Sequence, residues 1–396
     1  MQFPPLAPLP YHRQVVDYLR TEEPDVWRWA CSAQAREEHA AAVRSDLLRQ
    51  TYRLDPDAHP ELHACCDAAA RRLGLNVPVT LYQAGEGAMN AGLYYMPGEA
   101  HVVFFGAILE RLKGPQLEAL IGHELAHHLF WTLEGGIYHA ADRILSASAN
   151  DPRAEPAHTR TARLYGLFTE VLADRGSAIA SGALDPAIAS LVKVQTGLVE
   201  VSAASYLKQA HEVLDAGAKT EGQTHPEVFQ RARALEMWCG ADPATEQWIT
   251  DALRGPVSAE SLDVLGQQAL TSLTRAVLEQ ILRPRCLRSD LMVAHARRFF
   301  ADYTPAEAPD ETLASRIAGL RGAQDYVAAL LMDFATVDRE LDDVPLAAAF
   351  ENARQLGVEQ AFETLRAKHL DQPKRRIARI KREAAAILEQ AESRHG

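Results

Sequence analysis

Long uncharged hydrophobic runs are missing from these 396 residues. None reaches the ~18 residues that a spanning helix needs, so no membrane span is expected. A basic excess is missing as well. The formal net charge is −12, and nucleic acid is not expected as a partner, because gripping phosphates takes a concentrated basic face. Cysteine is sparse and scattered: Cys31, Cys65, Cys66, Cys239 and Cys286 are an odd set with no disulfide framework. The adjacent pair has no second pair near it to build a metal site, so all five read as buried, inert thiols in a reducing cytoplasm. The opening MQFPPLAPLPYHRQVVDYLR has no basic stretch followed by an apolar one, and no secretory leader is expected. Gly85 and Gly87 are not followed by Gly-Lys-Ser/Thr, which leaves a turn in place of a phosphate loop.

What is present is globular material, 47% apolar and 24% charged, enough for two domains. Residues 10 to 75 read as helices, the last of them in HPELHACCDAAARRLGL, closing near Gly74. The texture then changes. VPVTLYQ, MNAGLYYM and HVVFFG are short, rich in β-branched and aromatic residues, and separated by AGEGA and PGEA, which predicts three strands of a small sheet. From Ala107 onward the pattern is helical. Pro115 sits at a first helical position with Glu118 in the first turn. A break at SASANDPRAEP precedes a second strong helix, TARLYGLFTEVLADRGSAIAS, and GAKTEGQTHPE (217–227) reads as a loop. Composition shifts again at LRGPVSAES, which places a domain boundary between 255 and 256. The predicted class is α+β: a mostly helical domain with a three-stranded sheet over 1–255, then an all-helical domain over 256–396.

One stretch in the first domain needs a chemical explanation. LEALIGHELAHHLFW is apolar enough to be buried, yet its middle carries His123, Glu124 and His127. A buried carboxylate or imidazole is costly unless it is paired, hydrogen-bonded or bound to a metal. In a helix, His123 and His127 lie on one face at the separation a single Zn²⁺ bridges, and Glu124 lies about 100° round, within reach of a water on that ion. Leu120, Ile121, Leu125, Leu129 and Phe130 surround them on nearly every side, as in a central helix and unlike a surface one. A catalytic zinc needs three protein ligands and an open position. FTEVLADRGS offers Glu170 as the third and Asp174, again four residues on, to accept the free ring N–H of a ligand histidine. One zinc per chain is expected. His128 faces away from the ligand pair and reads as structural.

HELAH followed by EVLAD resembles the metallopeptidases of the HtpX heat-shock and CAAX-prenyl endopeptidase type, the forty-eighth metallopeptidase family. AMNAGLYYMPGEAHVVFFGAIL resembles the segment before that family's zinc helix, and QTHPEVFQRA its Thr-His-Pro segment. The similarity runs over roughly residues 45 to 240, without the transmembrane helices of the best-known members, so it points to a soluble branch. It implies a gluzincin-type fold, with zinc held by His123, His127 and Glu170 and with Glu124 as the general base. It also implies an Asn90-Ala91 strand edge that pairs with extended substrate, and His225 or Arg231 as donor to the tetrahedral oxyanion. His225 has a second reading, as a mobile cap that fills the open zinc position in a latent enzyme. For Arg231 a plain salt bridge is the other reading.

The last third carries no complete active site. YVAALLMDFATVDRELDDVPLAAAFENARQLGVEQAFETL is weakly similar to the small helical domain of tellurite-resistance-type proteins. DRELDD lacks the glycine and distal glutamate of a Ca²⁺ loop and reads as a helix connection. KRRIARIKREAAAILEQ reads as a solvated terminal helix. A substrate-delivery or regulatory role, with a regulatory partner bound through this helical domain, is the expectation there. For the whole chain the leading expectation is a zinc metalloendopeptidase acting on unfolded or extended protein segments in quality control or regulated proteolysis. The alternatives are a catalytically silent zinc-containing scaffold and a zinc hydrolase acting on a non-peptide bond.

Overall fold

The computed structural model describes residues 3–85, 87–215, 227–255, 261–305, 310–320, 322–370 and 373–394. They form two compact units, Met1–Gly255 and Pro256–Gly396. The first unit runs α1 (Pro10–Glu22), α2 (Pro24–Ala30), α3 (Ala33–Gln50), β1 (Thr51–Arg53), α4 (Pro60–Leu73), β2 (Val79–Ala84), β3 (Asn90–Met96) and β4 (Glu99–Phe105). It continues with α5 (Ile108–Arg111), α6 (Pro115–Thr132), α7 (Ile137–Ala149), α8 (Pro156–Ser181), α9 (Leu184–Thr196), α10 (Ala203–Asp215), α11 (Val228–Cys239) and α12 (Thr245–Arg254). Punctuation in the sequence sets several of these ends. Gly74 adopts φ 70 to close α4, a left-handed cap that a side chain would resist. Pro115 opens α6, where its missing N–H costs nothing.

The sheet has four strands and not three, in the order β1-β2-β4-β3. The extra strand, β1, pairs antiparallel with β2 through Thr51 opposite Ala84. Three residues running straight on from a helix are too short to show a two-residue period, and only the neighbouring strand makes them extended. β2 and β4 are parallel. β3 pairs antiparallel with β4 alone, from Asn90 opposite Phe105 to Met96 opposite Glu99, and so forms one edge. Towards the far end of β3 a side chain engages the strand: the His39 ring of α3 lies 3.2 Å from the Tyr95 carbonyl.

One face of the sheet, with Leu81, Val102 and Phe104, packs on Leu62, Cys66 and Ala69 of α4 and on Leu117, Ile121 and Leu125 of α6. The other face, with Tyr82, Met96 and Val103, packs on Val43 and Leu47 of α3. Helix α6 is the centre of the unit, buried without a break from Ala119 to His128. It lies against α8, and two glycines set how closely. A Cβ added at Gly122 would stand 2.9 Å from the Gly176 carbonyl and drive into the Ala180 methyl. A Cβ at Gly176 would stand 2.9 Å from the Gly122 carbonyl and drive into the Ala126 methyl. Contact between backbones fixes the distance between the two helices that carry the predicted ligands.

The second unit is helical: α13 (Val264–Ile281), α14 (Asp290–Phe299), α15 (Leu313–Gly319), α16 (Ala323–Phe334), α17 (Val344–Gln355), α18 (Glu359–His369) and α19 (Lys374–Glu392). Its core includes Leu278, Phe334, Phe350, Phe362 and Ile380. The acidic DRELDD segment is tied up structurally. Asp338 caps the turn at Glu340 and accepts from Ser289, while Asp343 meets Arg376 and Arg379 of α19. Among the described residues no helix is long and apolar enough to cross a membrane.

Candidate metal centre

His123 and His127 lie one turn apart on α6, and their rings meet with centroids 5.0 Å apart. Glu170 reaches them from α8. The two ring nitrogens and the two carboxylate oxygens face one another closely: His123 Nε2 to His127 Nε2 is 3.3 Å, His123 Nε2 to Glu170 Oε2 is 3.5 Å, and His127 Nε2 to Glu170 Oε1 is 3.6 Å. Tetrahedral zinc with bonds of ~2.0–2.1 Å needs ligand atoms about 3.3–3.4 Å apart, so these separations suit such an ion. Among the described residues these three are the His, Cys, Asp or Glu group with ligand atoms close enough to share a metal.

The surroundings fit as well. Asp174 is 1% exposed, and its Oδ1 lies 3.1 Å from His123 Nδ1, which turns Nε2 of that ring towards the centre. Arg231 of α11 clasps the same carboxylate, with Nε 2.8 Å from Oδ2 and Nη2 2.6 Å from Oδ1, and its Nη1 stands 3.4 Å from Glu170 Oε2. Three buried or half-buried carboxylates, Glu124, Glu170 and Asp174, face one guanidinium. With His123 neutral, as a metal ligand must be, two negative charges are left over, which a divalent cation neutralises where water is scarce.

Electrostatics follow from burial and from these partners. Burial opposes a charged His123, but hydrogen bonds to Asp174 and Glu170 outweigh it and push the ring up to about 10. His127 is buried beside it without such bonds and falls to about 4. Burial pushes the Glu124 carboxyl up to about 7; His123, Arg231 and the Leu93 N–H pull against it, and Glu170 adds to it. Burial alone would raise Asp174, yet Arg231 and His123 hold it below the usual carboxylate range. His128 lies against the Tyr95 ring, 5.3 Å between centroids, and is fully buried.

A cleft of about 600 Å³ opens over these groups, lined by Ala88 to Leu93 together with His123, Glu124, His127, Glu170 and Arg231. Asn90 is exposed and Ala91 buried at the start of edge strand β3. Thr224, His225 and Pro226 lie outside the described residues, so the structure gives no position for His225. For Arg231 the structure displays the ion pair with Asp174. Two features of the site went unread in the sequence. One is the glycine pair at the α6–α8 crossing, signalled only by a glycine in each of two otherwise buried helices. The other is Asp142 on α7, which also lines the cleft.

All five cysteines are free thiols. The model of peptidase family M48 matches residues 56–131, the stretch from α4 through the sheet to the His123–His127 pair. Over that stretch the chain is similar to the family; Glu170, Asp174 and Arg231 lie beyond it. No curated protein matches the chain.

Proposed function

We propose that this chain is a zinc-dependent metalloendopeptidase of the HtpX and CAAX-prenyl endopeptidase type, hydrolysing peptide bonds in unfolded or extended protein segments. The reading rests above all on the convergence of His123, His127 and Glu170 on one point beside Glu124, in a cleft bordered by a sheet edge. The match to peptidase family M48 supports it from the sequence side. Free thiols throughout suit a reducing cytoplasm, where the role is quality control or regulated proteolysis. Residues 256–396 serve as a helical domain that takes a regulatory partner.

A zinc ion on the three ligands supplies Lewis acidity to the scissile carbonyl and lowers the pKa of a water towards ~7. Glu124, its carboxyl poised near the working pH, takes the proton from the attacking water and returns it to the leaving amine nitrogen. Asp174 keeps His123 in the tautomer that ligates through Nε2, and Arg231 holds Asp174 and Glu170 in register. The free edge at Asn90 and Ala91 pairs with substrate main chain, which gives breadth of sequence tolerance. His225 either donates to the oxyanion or caps the zinc in a latent state.

Casein hydrolysis tests the reading. The wild-type protein is expected to cleave it, and Glu124→Gln is expected to keep its zinc and lose at least ~100-fold in rate. Zinc binding without turnover of diverse peptides, in wild type and in a His225→Ala variant alike, would replace the peptidase with a silent zinc-containing scaffold.

A further inference from the structure

The cleft has a second carboxylate outside the metal-binding group. Asp142 of α7 lines the same cleft as Trp131, Gly166 and Thr169. Trp131 lies one turn beyond His127 on α6, and Gly166 one turn before Glu170 on α8, so both adjoin the metal centre. Among the described residues no hydrogen bond or ion pair engages Asp142. Asp142 is half-buried, and a carboxylate drawn that far out of water is ordinarily paired.

The space beside it is kept open. Gly166 sits inside a long helix, where glycine is a poor choice, and a Cβ there would meet nothing within 4 Å. The Trp131 indole offers an apolar and π-rich surface to the same cleft. Its ring lies tilted against His127 at 5.5 Å and against His139 at 5.7 Å between centroids, which holds it in place. An aromatic plane, an open gap and an unpaired carboxylate together match a long cationic side chain, whose methylene stem lies on the ring while its head meets the acid.

We propose that Asp142 and Trp131 form a specificity pocket beside the scissile bond that selects a lysine or arginine side chain of the substrate. This deepens the peptidase reading and rests on it, while the pocket's preference for a cationic side chain stands on Asp142, Trp131 and the gap at Gly166. Burial pushes the Asp142 carboxyl up to about 6 with no cation pulling it back, so at neutral pH it is an ionised group awaiting a counter-charge.

Two arms of one experiment test the pocket and keep the two readings apart. In the first, a random decapeptide library is digested and the cut sites are read by mass spectrometry. Lysine or arginine is expected at one fixed position from the cut, favoured over norleucine by about 10- to 100-fold in kcat/KM, the range for a buried charge-assisted hydrogen bond. Asp142→Asn is expected to erase that preference, Asp142→Lys to turn it towards aspartate and glutamate, and Gly166→Leu to exclude long side chains from the position. In the second arm the same library is passed over immobilised Glu124→Gln protein, with Asp142 intact or replaced by Asn. Lysine and arginine peptides are expected to be retained only by the former. Identical cut profiles in wild type and Asp142→Asn, or equal retention on both columns, overturns the pocket. A wild-type protein that cuts nothing overturns the peptidase reading instead, and the retention arm then decides the pocket.

Discussion

Gly176→Ala puts one methyl group where α6 and α8 touch. The new Cβ would lie 2.9 Å from the Gly122 carbonyl, inside the ~3.3–3.6 Å that carbon and carbonyl oxygen take, and would overlap the Ala126 methyl. Ordinary carbon contacts need ~3.5–4.0 Å, so the helices must part by about 1 Å or more, and overpacking of this kind costs roughly 1–3 kcal/mol. For a unit of this size that is a fall in Tm of about 3–10 °C. The consequence for the site is larger. His123 and His127 ride on α6 and Glu170 on α8, and a metal site tolerates only ~0.2 Å in its bond lengths, so zinc affinity is expected to fall by at least ~10- to 100-fold. Gly166→Ala is the control on the same helix: its Cβ meets nothing within 4 Å, and it should gain up to ~1 kcal/mol of helix stability. Ala126→Gly combined with Gly176→Ala should restore part of both losses, since the two methyls share one space. Competitive zinc titration and thermal unfolding read the series. If Gly176→Ala binds zinc and melts like Gly166→Ala, backbone contact does not set the ligand spacing and the reasoning fails.

The remaining predictions concern protons. A His123 ring held near 10 is protonated at neutral pH and must give up that proton to become a ligand, so zinc uptake at pH 7 is expected to release about one proton per ion. Calorimetry in buffers of different ionisation enthalpy measures it, and uptake with no buffer dependence would be inconsistent with the Asp174–His123–Glu170 arrangement. Asp142 is raised to about 6 in the fold, above its ordinary 3.8. Between these values the unfolded chain loses the proton and the fold keeps it, so stability falls as pH rises through the window and the penalty is complete above it. Asp142→Asn is therefore expected to stabilise the protein by about 1–2 kcal/mol at pH 7.5 and by little at pH 4, after discounting for partial solvent contact. Thermal unfolding at the two pH values checks this, and a variant no more stable at pH 7.5 would mean that Asp142 has a partner.

Much of the site was legible because its chemistry conflicts with its setting. HELAH in an otherwise apolar helix demands partners, and EVLAD supplies two carboxylates at the matching helical spacing; in the fold Glu170 joins His123 and His127 within ligand distance and Asp174 pairs with His123. Helix ends at Gly74 and Pro115 were legible because glycine and proline act locally. β1 was not, since three residues take their conformation from β2. The α6–α8 crossing was not, since a glycine that enables close approach leaves no periodic mark. Asp142 was missed for a similar reason: a lone acid on an amphipathic helix looks like any solvated one until neighbouring helices enclose it.

The central claim is that His123, His127 and Glu170 together hold one zinc ion. Metal analysis of purified protein after dialysis against a weak chelator tests it most directly, on wild type, His127→Ala and Glu170→Ala. The account predicts about one zinc per chain in the wild type and almost none in either variant, with both variants still folded by circular dichroism. Full zinc retention in Glu170→Ala, or a wild-type protein that binds no zinc, would contradict it.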